Sequence, residues 1–222
     1  MFSMRRHANF IKRFKSVSCL FTASILFPMQ ISAAVSDYDA LVIEARGGNS
    51  APLLRYLEDQ GKKSALTPNQ VADWLQVSSW VDNNDKTTIE IWQQYRGQMN
   101  VPARGKVAAA RAYRNQKNWN DSLAIWESVL QEEPDNVDVR TGWIMTLADA
   151  RYNQQALTEA NKWAQAHPGA DSDALLAYVY HSQGKNWDAL LVASLADDVD
   201  PGKKNAKSTL LSALSANRVS GP

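Results

Sequence analysis

The residues that most often carry chemistry are few in this chain, and their spacing fits no catalytic or metal-binding pattern. Beyond residue 34 there are two histidines, His167 and His181, and neither has a carboxylate at the spacing of a known zinc motif. The only cysteine, Cys19, lies in the leader described below. The chain has no G-x-S-x-G motif and no phosphate-cradling glycine loop. We therefore expect no enzyme activity, no metal and no cofactor.

Eight tryptophans could instead serve binding, because indole faces stack on sugar rings. A fully buried aromatic side chain removes roughly 150–250 Å² from water, which is a gross stabilisation of roughly 4–6 kcal/mol. We expect four of the tryptophans to be core residues, namely Trp119, Trp126, Trp143 and Trp163. Three more, Trp74, Trp80 and Trp92, crowd one segment, so core packing and a ligand contact both remain open for them.

The charge balance argues against a nucleic-acid partner. The chain is 45% hydrophobic and 21% charged, which is typical of a folded globular protein. Its first 34 residues hold five of the 24 basic residues and no acidic residue. The remainder has 19 basic and 23 acidic residues and a net charge of −4. Nucleic-acid binding requires a basic surface, so we expect none.

The first 34 residues have the pattern of a secretory signal peptide. Basic residues between Arg5 and Lys15 precede an apolar stretch from Val17 to about Ile31, and small residues follow up to Ala34. An uncleaved anchor is the alternative, but the continuous apolar core is shorter than the roughly 20 residues that span a bilayer. We predict cleavage after Ala34 and a periplasmic protein without cysteine.

The prolines reveal a repeat. Five of them, Pro68, Pro102, Pro134, Pro168 and Pro201, follow one another at intervals of 34, 32, 34 and 33 residues. Tetratricopeptide repeats have a 34-residue period of two helices, and a proline stops the second helix because it lacks an N–H and its ring clashes with the preceding turn.

The residues between the prolines agree with this period. Turn-forming clusters divide each unit, for example Gly47–Asn49, Asp82–Asp85 and Gly184–Asn186. We predict an all-α tetratricopeptide superhelix of about five helix-turn-helix units over residues 35–201. Residues 202–222 would be an incomplete sixth repeat or a frayed tail.

The first helix of each unit lines the concave side of such a superhelix, so polar residues there are candidate ligand contacts. The repeat pattern places three acidic candidates (Asp82, Asp138 and Asp149) and a basic trio (Arg104, Arg111 and Arg114) on or near this side. The basic trio could pair with a carboxylate of a partner protein. The Lys and Asn signature of peptide-clamping repeats is absent, since Val107 and Arg111 occupy two of its positions.

Several strings of this chain resemble one family. They are YDALVIEAR (38–46), ADWLQ (72–76), PARG (102–105), AYRN (112–115), SLAIW (122–126) and TLADA (146–150). Their order and spacing, with the leader, are similar to the N-terminal periplasmic part of the poly-β-1,6-N-acetyl-D-glucosamine export porins. The resemblance covers roughly residues 38–191.

The resemblance implies that the two parts of such a protein have different roles. In this family the periplasmic repeats engage the partially deacetylated polymer and its periplasmic deacetylase, and an outer-membrane β-barrel, normally on the same chain, exports the polymer in biofilm formation. No alternating strands of such a barrel follow the repeats here, so we expect these 222 residues to be the N-terminal piece.

Two functions remain open from the sequence. In the first, Asp82, Asp138 and Asp149 hold cationic sugars, while exposed Trp80 or Trp92 stacks on pyranose rings. In the second, the chain is a periplasmic docking module that binds only polypeptides. The net charge favours the first, because a negative domain attracts a polymer that carries ammonium groups.

Overall fold

The computed structural model describes residues 37–199, with side chains up to residue 195. This part of the chain forms ten α-helices and contains no β-strand. The helices are α1 (Asp37–Arg46), α2 (Ala51–Lys63), α3 (Pro68–Ser78), α4 (Asp85–Tyr95), α5 (Ala103–Asn115), α6 (Trp119–Glu132), α7 (Val137–Asp149), α8 (Asn153–Ala166), α9 (Ala170–Ser182) and α10 (Asn186–Val199). The signal-peptide prediction for 1–34 and the tail prediction for 202–222 lie outside the described residues.

The ten helices form five antiparallel pairs, which confirms the predicted all-α class and the tetratricopeptide organisation. We call the odd-numbered helices A helices and the even-numbered ones B helices. Each helix packs on the next one along the chain, and from α3 onward each A helix also packs on the next A helix. The connections are only three to seven residues long, so each helix runs antiparallel to the next one along the chain. The A helices therefore all run in one direction. The turns within pairs consequently lie at one end of the A helices.

The prolines play two different roles in this repeat. Pro134 and Pro168 lie two residues beyond the ends of α6 and α8, as predicted. Pro68 instead is the first residue of α3, and Pro102 is the N-cap of α5. The prediction that these two end a B helix was wrong, since α2 and α4 end several residues earlier. Proline fits the start of a helix because the first N–H groups have no intrahelical partner there.

The turns within the pairs show the repeat in the backbone itself. One residue of each turn has a positive φ, namely Gly48, Asn83, Lys117, Arg151 and Gly184, again about one repeat apart. In the α5–α6 turn, Asn118 N–H donates to the Tyr113 carbonyl and Lys117 N–H to the Arg114 carbonyl, each at 2.9 Å. The α1–α2, α7–α8 and α9–α10 turns repeat this pair of bonds, which is the Schellman ending of a helix.

The hydrophobic core lies between the layer of A helices and the layer of B helices. It contains three of the four tryptophans that were predicted to be core residues. Trp126 is fully buried, and its Nε1 donates to Thr146 Oγ1 at 3.0 Å. Trp143 and Trp163 are also buried, whereas Trp119 is half-buried. Gly142 on α7 lies directly against the Trp126 ring, because a Cβ at this position would be 2.5 Å from it. The interface between α6 and α7 therefore depends on a glycine.

Candidate ligand-binding clefts

Two clusters of the same composition join successive A helices. In the first, Asp73 on α3 accepts a hydrogen bond from Tyr38 Oη on α1 at 2.7 Å and one from Arg104 Nε on α5 at 3.1 Å. Arg104 also donates from Nη2 to the Asn69 carbonyl and side chain. Burial and the Asp73 carboxylate raise the pKa of Tyr38, so this hydroxyl keeps its proton to a higher pH than an ordinary tyrosine.

The second cluster lies nearer the other end of the A helices. Asp149, the last residue of α7, accepts from Arg114 Nε on α5 at 2.7 Å and from the Tyr178 hydroxyl on α9. Arg114 Nη2 also lies 2.8 Å from the Tyr178 hydroxyl. Burial and the bond to Asp149 raise the pKa of Tyr178 to about 12. In both clusters the aspartate stands on the middle one of three A helices.

Three residues that were predicted to contact a ligand instead bond to other residues of the chain in these clusters. Arg104 and Arg114 each form an ion pair with an aspartate, and Asp149 is the partner of Arg114. Arg111 of the basic trio is exposed and makes no hydrogen bond or ion pair with any residue of 37–199. Arg111 could therefore bind a partner protein without first losing a hydrogen bond or ion pair within residues 37–199, unlike Arg104 and Arg114.

The three acidic candidates do not converge on one site. Asp82 is exposed in the α3–α4 turn. Asp138 is exposed at the second position of α7, and Asp149 ends the same helix. At 1.5 Å per residue the last two are roughly 16 Å apart along the helix. They could therefore meet different units of a polymer but could not hold one sugar together.

The structure separates the two candidate stacking residues. Trp80 lies in the α3–α4 turn with 45% of its surface exposed. Trp92 on α4 is only 8% exposed and belongs to the hydrophobic core. The prediction that Trp92 could stack on a sugar is therefore corrected, because its ring faces are covered by core side chains. Trp80 keeps an accessible face beside Asp82.

An acidic cleft of about 410 Å³ lies between α2, α3 and α4. We call it the α2–α4 cleft, and its lining residues are Leu54, Glu58, Trp74, Ser78, Asn84, Thr87, Glu90, Ile91 and Gln94. It combines two carboxylates, a half-buried indole and two side-chain amides, with no basic residue in the lining. Such a mixture suits a cationic ligand that has an apolar ring face.

The carboxylates of the α2–α4 cleft stand on opposite helices. Glu58 on α2 forms an ion pair with Lys62 at 2.7 Å. Both side chains are exposed, and such surface pairs contribute little to folding stability. Glu90 on α4 makes no hydrogen bond or ion pair with any described residue. Sequence reasoning missed both, because each occupies an ordinary polar position of its own helix and only the pairing of α2 with α4 brings them to one cleft.

A second cleft, of about 480 Å³, lies at the turn end of the A helices. We call it the turn cleft, and its lining residues are Lys117, Trp119, Ala148, Asp149, Arg151, Tyr178, His181 and Ser182. Since Asp149 is already paired with Arg114, the exposed cations Lys117 and Arg151 dominate the charge of this cleft. The two clefts thus have opposite charge.

Comparison with known proteins identifies relatives of this chain. No family model matches it. Over 176 residues it is 44% identical to the poly-beta-1,6-N-acetyl-D-glucosamine export protein of Escherichia coli strain K12, and equally to that of Escherichia coli O157:H7. The chain is a relative of these export proteins. The resemblance inferred from the sequence strings is therefore confirmed.

The relatives are much longer than this chain. The aligned region covers 77% of the chain and 21% of each export protein, so the chain spans about a fifth of their length and fits their N-terminal repeat part. The relatives are named as export proteins and not as enzymes. Within residues 37–199, no helix has both the length and the apolar character needed to cross a membrane.

One solved structure aligns with most of this chain. MamA 41-end from Desulfovibrio magneticus RS-1 aligns with a TM-score of 0.45 and 12% identity, over 85% of this chain and 100% of that chain.

Proposed function

We propose that this chain serves poly-β-1,6-N-acetyl-D-glucosamine export in the Gram-negative envelope by binding the partially deacetylated polymer in the periplasm and guiding it to the outer-membrane export pore. The 44% identity to two export proteins is the observation that carries this proposal. Residues 37–199 would be a binding scaffold and not an enzyme.

The polymer contact would centre on the α2–α4 cleft. Deacetylated units carry an ammonium group, and Glu58 and Glu90 present carboxylates from two sides of the cleft. Trp74 offers an apolar face for the sugar ring, while the amides of Asn84 and Gln94 can bond hydroxyl groups. Charge-assisted bonds of this kind are stronger than neutral ones, so a free amine should raise the affinity.

The exposed Trp80 and Asp82 would extend this contact. They lie in the turn between Ser78 and Asn84, which both line the cleft, so a sugar leaving the cleft could reach them. Asp138 would be a separate contact on α7. Asp149 is a weaker candidate, because a sugar ammonium would have to displace Arg114 from it and would meet the cations of the turn cleft.

Docking of the periplasmic deacetylase belongs to the same proposal. Arg111 would pair with a carboxylate of the enzyme, because its guanidinium is exposed and unpaired within residues 37–199. Arg104 and Arg114 would act in the A-helix layer instead, where each holds an aspartate of a neighbouring helix.

Titration with sugar oligomers tests the polymer contact. Partly deacetylated oligomers should bind more tightly than fully acetylated ones, and high salt should weaken this preference because screening shortens the reach of exposed charges. The double variant E58Q/E90Q should lose the preference. The matched control is Glu159→Gln, which removes a carboxylate from a similar surface pair with Lys162 on α8.

Two outcomes would contradict this function. Equal affinity for both oligomers in the unmodified chain would remove the electrostatic contact. Absence of any oligomer binding, together with capture of the purified deacetylase, would favour the polypeptide-docking function instead.

A further inference from the structure

Two basic residues occupy backbone positions that favour glycine. Lys117 has φ 60° and Arg151 has φ 66°, and each is the positive-φ residue of its turn. The matching residue is glycine in the first and fifth turns, Gly48 and Gly184. A side chain at positive φ costs energy because its Cβ approaches the backbone, and such residues concentrate at functional sites.

Helix ends alone do not explain these two residues. The negative end of a helix dipole favours a cation in the last turn of a helix. On α5 that position is already filled by Arg114, whereas the last turn of α7 contains no basic residue. A cation anywhere in the last turn would gain this interaction without adopting a positive φ. The location of Lys117 and Arg151 therefore calls for another reason.

Both residues line the turn cleft, although they belong to successive units of the repeat. Neither forms an ion pair with a carboxylate within residues 37–199. Arg151 Nη1 donates to the Ser182 carbonyl, a neutral acceptor that fixes the side chain and leaves its charge uncompensated. The cleft thus holds two cations with no internal counter-ion of their own.

The other lining residues of the turn cleft are Trp119, Tyr178 and Ala148, which offer aromatic or apolar surface, together with the polar residues Asp149, His181 and Ser182. Trp119 is half-buried at the start of α6, and Tyr178 and Ala148 line the same cleft. The Tyr178 hydroxyl is held by Asp149, which leaves its ring as a wall of the cleft. A ligand for this site should combine negative charge with an apolar group.

We propose that the turn cleft binds an acidic segment of a partner polypeptide, with carboxylates on Lys117 and Arg151 and a neighbouring aromatic side chain against Trp119. A segment with Asp or Glu beside an aromatic residue matches both the cations and the aromatic surface of the lining. A neutral or cationic sugar polymer lacks the negative charge. A concave site of about 480 Å³ suits a few side chains better than a flat lipid surface. The site is separate from the α2–α4 cleft, so this inference stands apart from polymer binding.

An array of immobilised pentapeptides tests the proposal with the full chain as the probe. The array holds pentapeptides with two acidic residues and one aromatic residue in every order, with matched sets in which amides or lysines replace the acids. Acidic peptides should retain the chain and the two matched sets should not. The affinity of the best peptide is then measured by fluorescence anisotropy.

Glycine variants separate a binding role from a structural one. The double variant K117G/R151G introduces the residue type that the backbone prefers at both positions, which offsets the lost bond from Arg151 to Ser182, so its thermal stability should be close to that of the unmodified chain. We expect it to bind the best acidic peptide about tenfold more weakly, as loss of charge-assisted bonds implies. Asn83→Gly is the matched control, because Asn83 has the same positive φ in a turn that does not line the cleft.

Several results would overturn the proposal. These are retention of no acidic peptide, equal retention of the amide set, and unchanged peptide affinity in K117G/R151G. Preferential binding to phosphatidylglycerol vesicles over every acidic peptide would assign the cleft to a lipid surface instead.

Discussion

Arg114 on α5 donates a hydrogen bond from Nε to Oδ2 of Asp149 on α7 at 2.7 Å. The pair spans one repeat, and Tyr178 on α9 extends it to a third A helix. Tyr38, Asp73 and Arg104 form the same arrangement across α1, α3 and α5. Because α5 contributes an arginine to each cluster, it links the first units of the repeat to the last ones.

The Arg114–Asp149 pair should stabilise the stack of A helices. Both side chains are mostly buried, with exposed fractions of 20% and 22%. We expect Arg114→Ala to lower the free energy of unfolding by about 2 kcal/mol, because Asp149 loses a charge-assisted hydrogen bond in a partly buried site. Urea unfolding followed by circular dichroism measures this change.

Arg111→Ala is the control for this prediction, since it removes the same residue type from an exposed position of the same helix. It should change stability by no more than about 0.5 kcal/mol. Equal effects of the two variants would show that the ion pair adds nothing. A double-mutant cycle of Arg114→Ala with Asp149→Asn then isolates the coupling of the pair.

Alkaline pH should weaken the same cluster through Tyr178. Its pKa is raised to about 12 in the folded chain, against an ordinary value near 10. The protonated hydroxyl therefore contributes stability that is fully present below pH 10 and is lost as the pH rises towards 12. Between these values Tyr178→Phe should lose less stability than the unmodified chain.

Urea midpoints across this pH range, with tyrosinate absorbance recorded in parallel, measure the effect. Tyr38 also has a raised pKa and remains in the variant, so part of the alkaline loss should persist. Identical slopes of stability against pH in the two chains would contradict the role given to Tyr178.

The sequence was sufficient to predict the repeat and most of its turns. Proline spacing and clusters such as Gly47–Asn49 and Gly184–Asn186 report local backbone preferences, which neighbours along the chain determine. The same holds for Trp126, Trp143 and Trp163, because large apolar rings at these positions of the repeat favour burial. These features need no knowledge of how the units stack.

The candidate site depended on stacking and was predicted only in part. Arg114 and Asp149 were both placed near one surface by the repeat pattern, yet nothing in the sequence showed that they bond each other at a separation of 35 residues. Glu58 and Glu90 gave no signal, because the α2–α4 cleft exists only once α2 and α4 flank α3. Which side chains meet between units depends on how the helices of one unit align with those of the next.

Gly142 should be intolerant of any side chain. A Cβ there would lie 2.5 Å from two carbons of the fully buried Trp126 ring, which also bonds Thr146. We expect Gly142→Ala to destabilise the chain by about 1–3 kcal/mol, the usual cost of overfilling a packed core. Gly97→Ala is the control, because no atom lies within 4 Å of the added Cβ and its φ is not positive. Urea unfolding of both variants tests this, and a Gly142→Ala chain as stable as Gly97→Ala would contradict the close contact.

Gly184 should show the cost of a positive φ without any steric contact. It has φ 75° in the α9–α10 turn, and no atom lies within 4 Å of a built Cβ. Gly184→Ala should therefore lower stability by about 1 kcal/mol, the typical penalty for an L residue in this region. Thermal unfolding of Gly184→Ala beside Gly184→Asn measures it, and asparagine should recover part of the loss because its side chain tolerates this region better. If alanine were as stable as glycine, the turn would impose no strain, and the argument that Lys117 and Arg151 are retained at a cost would fail with it.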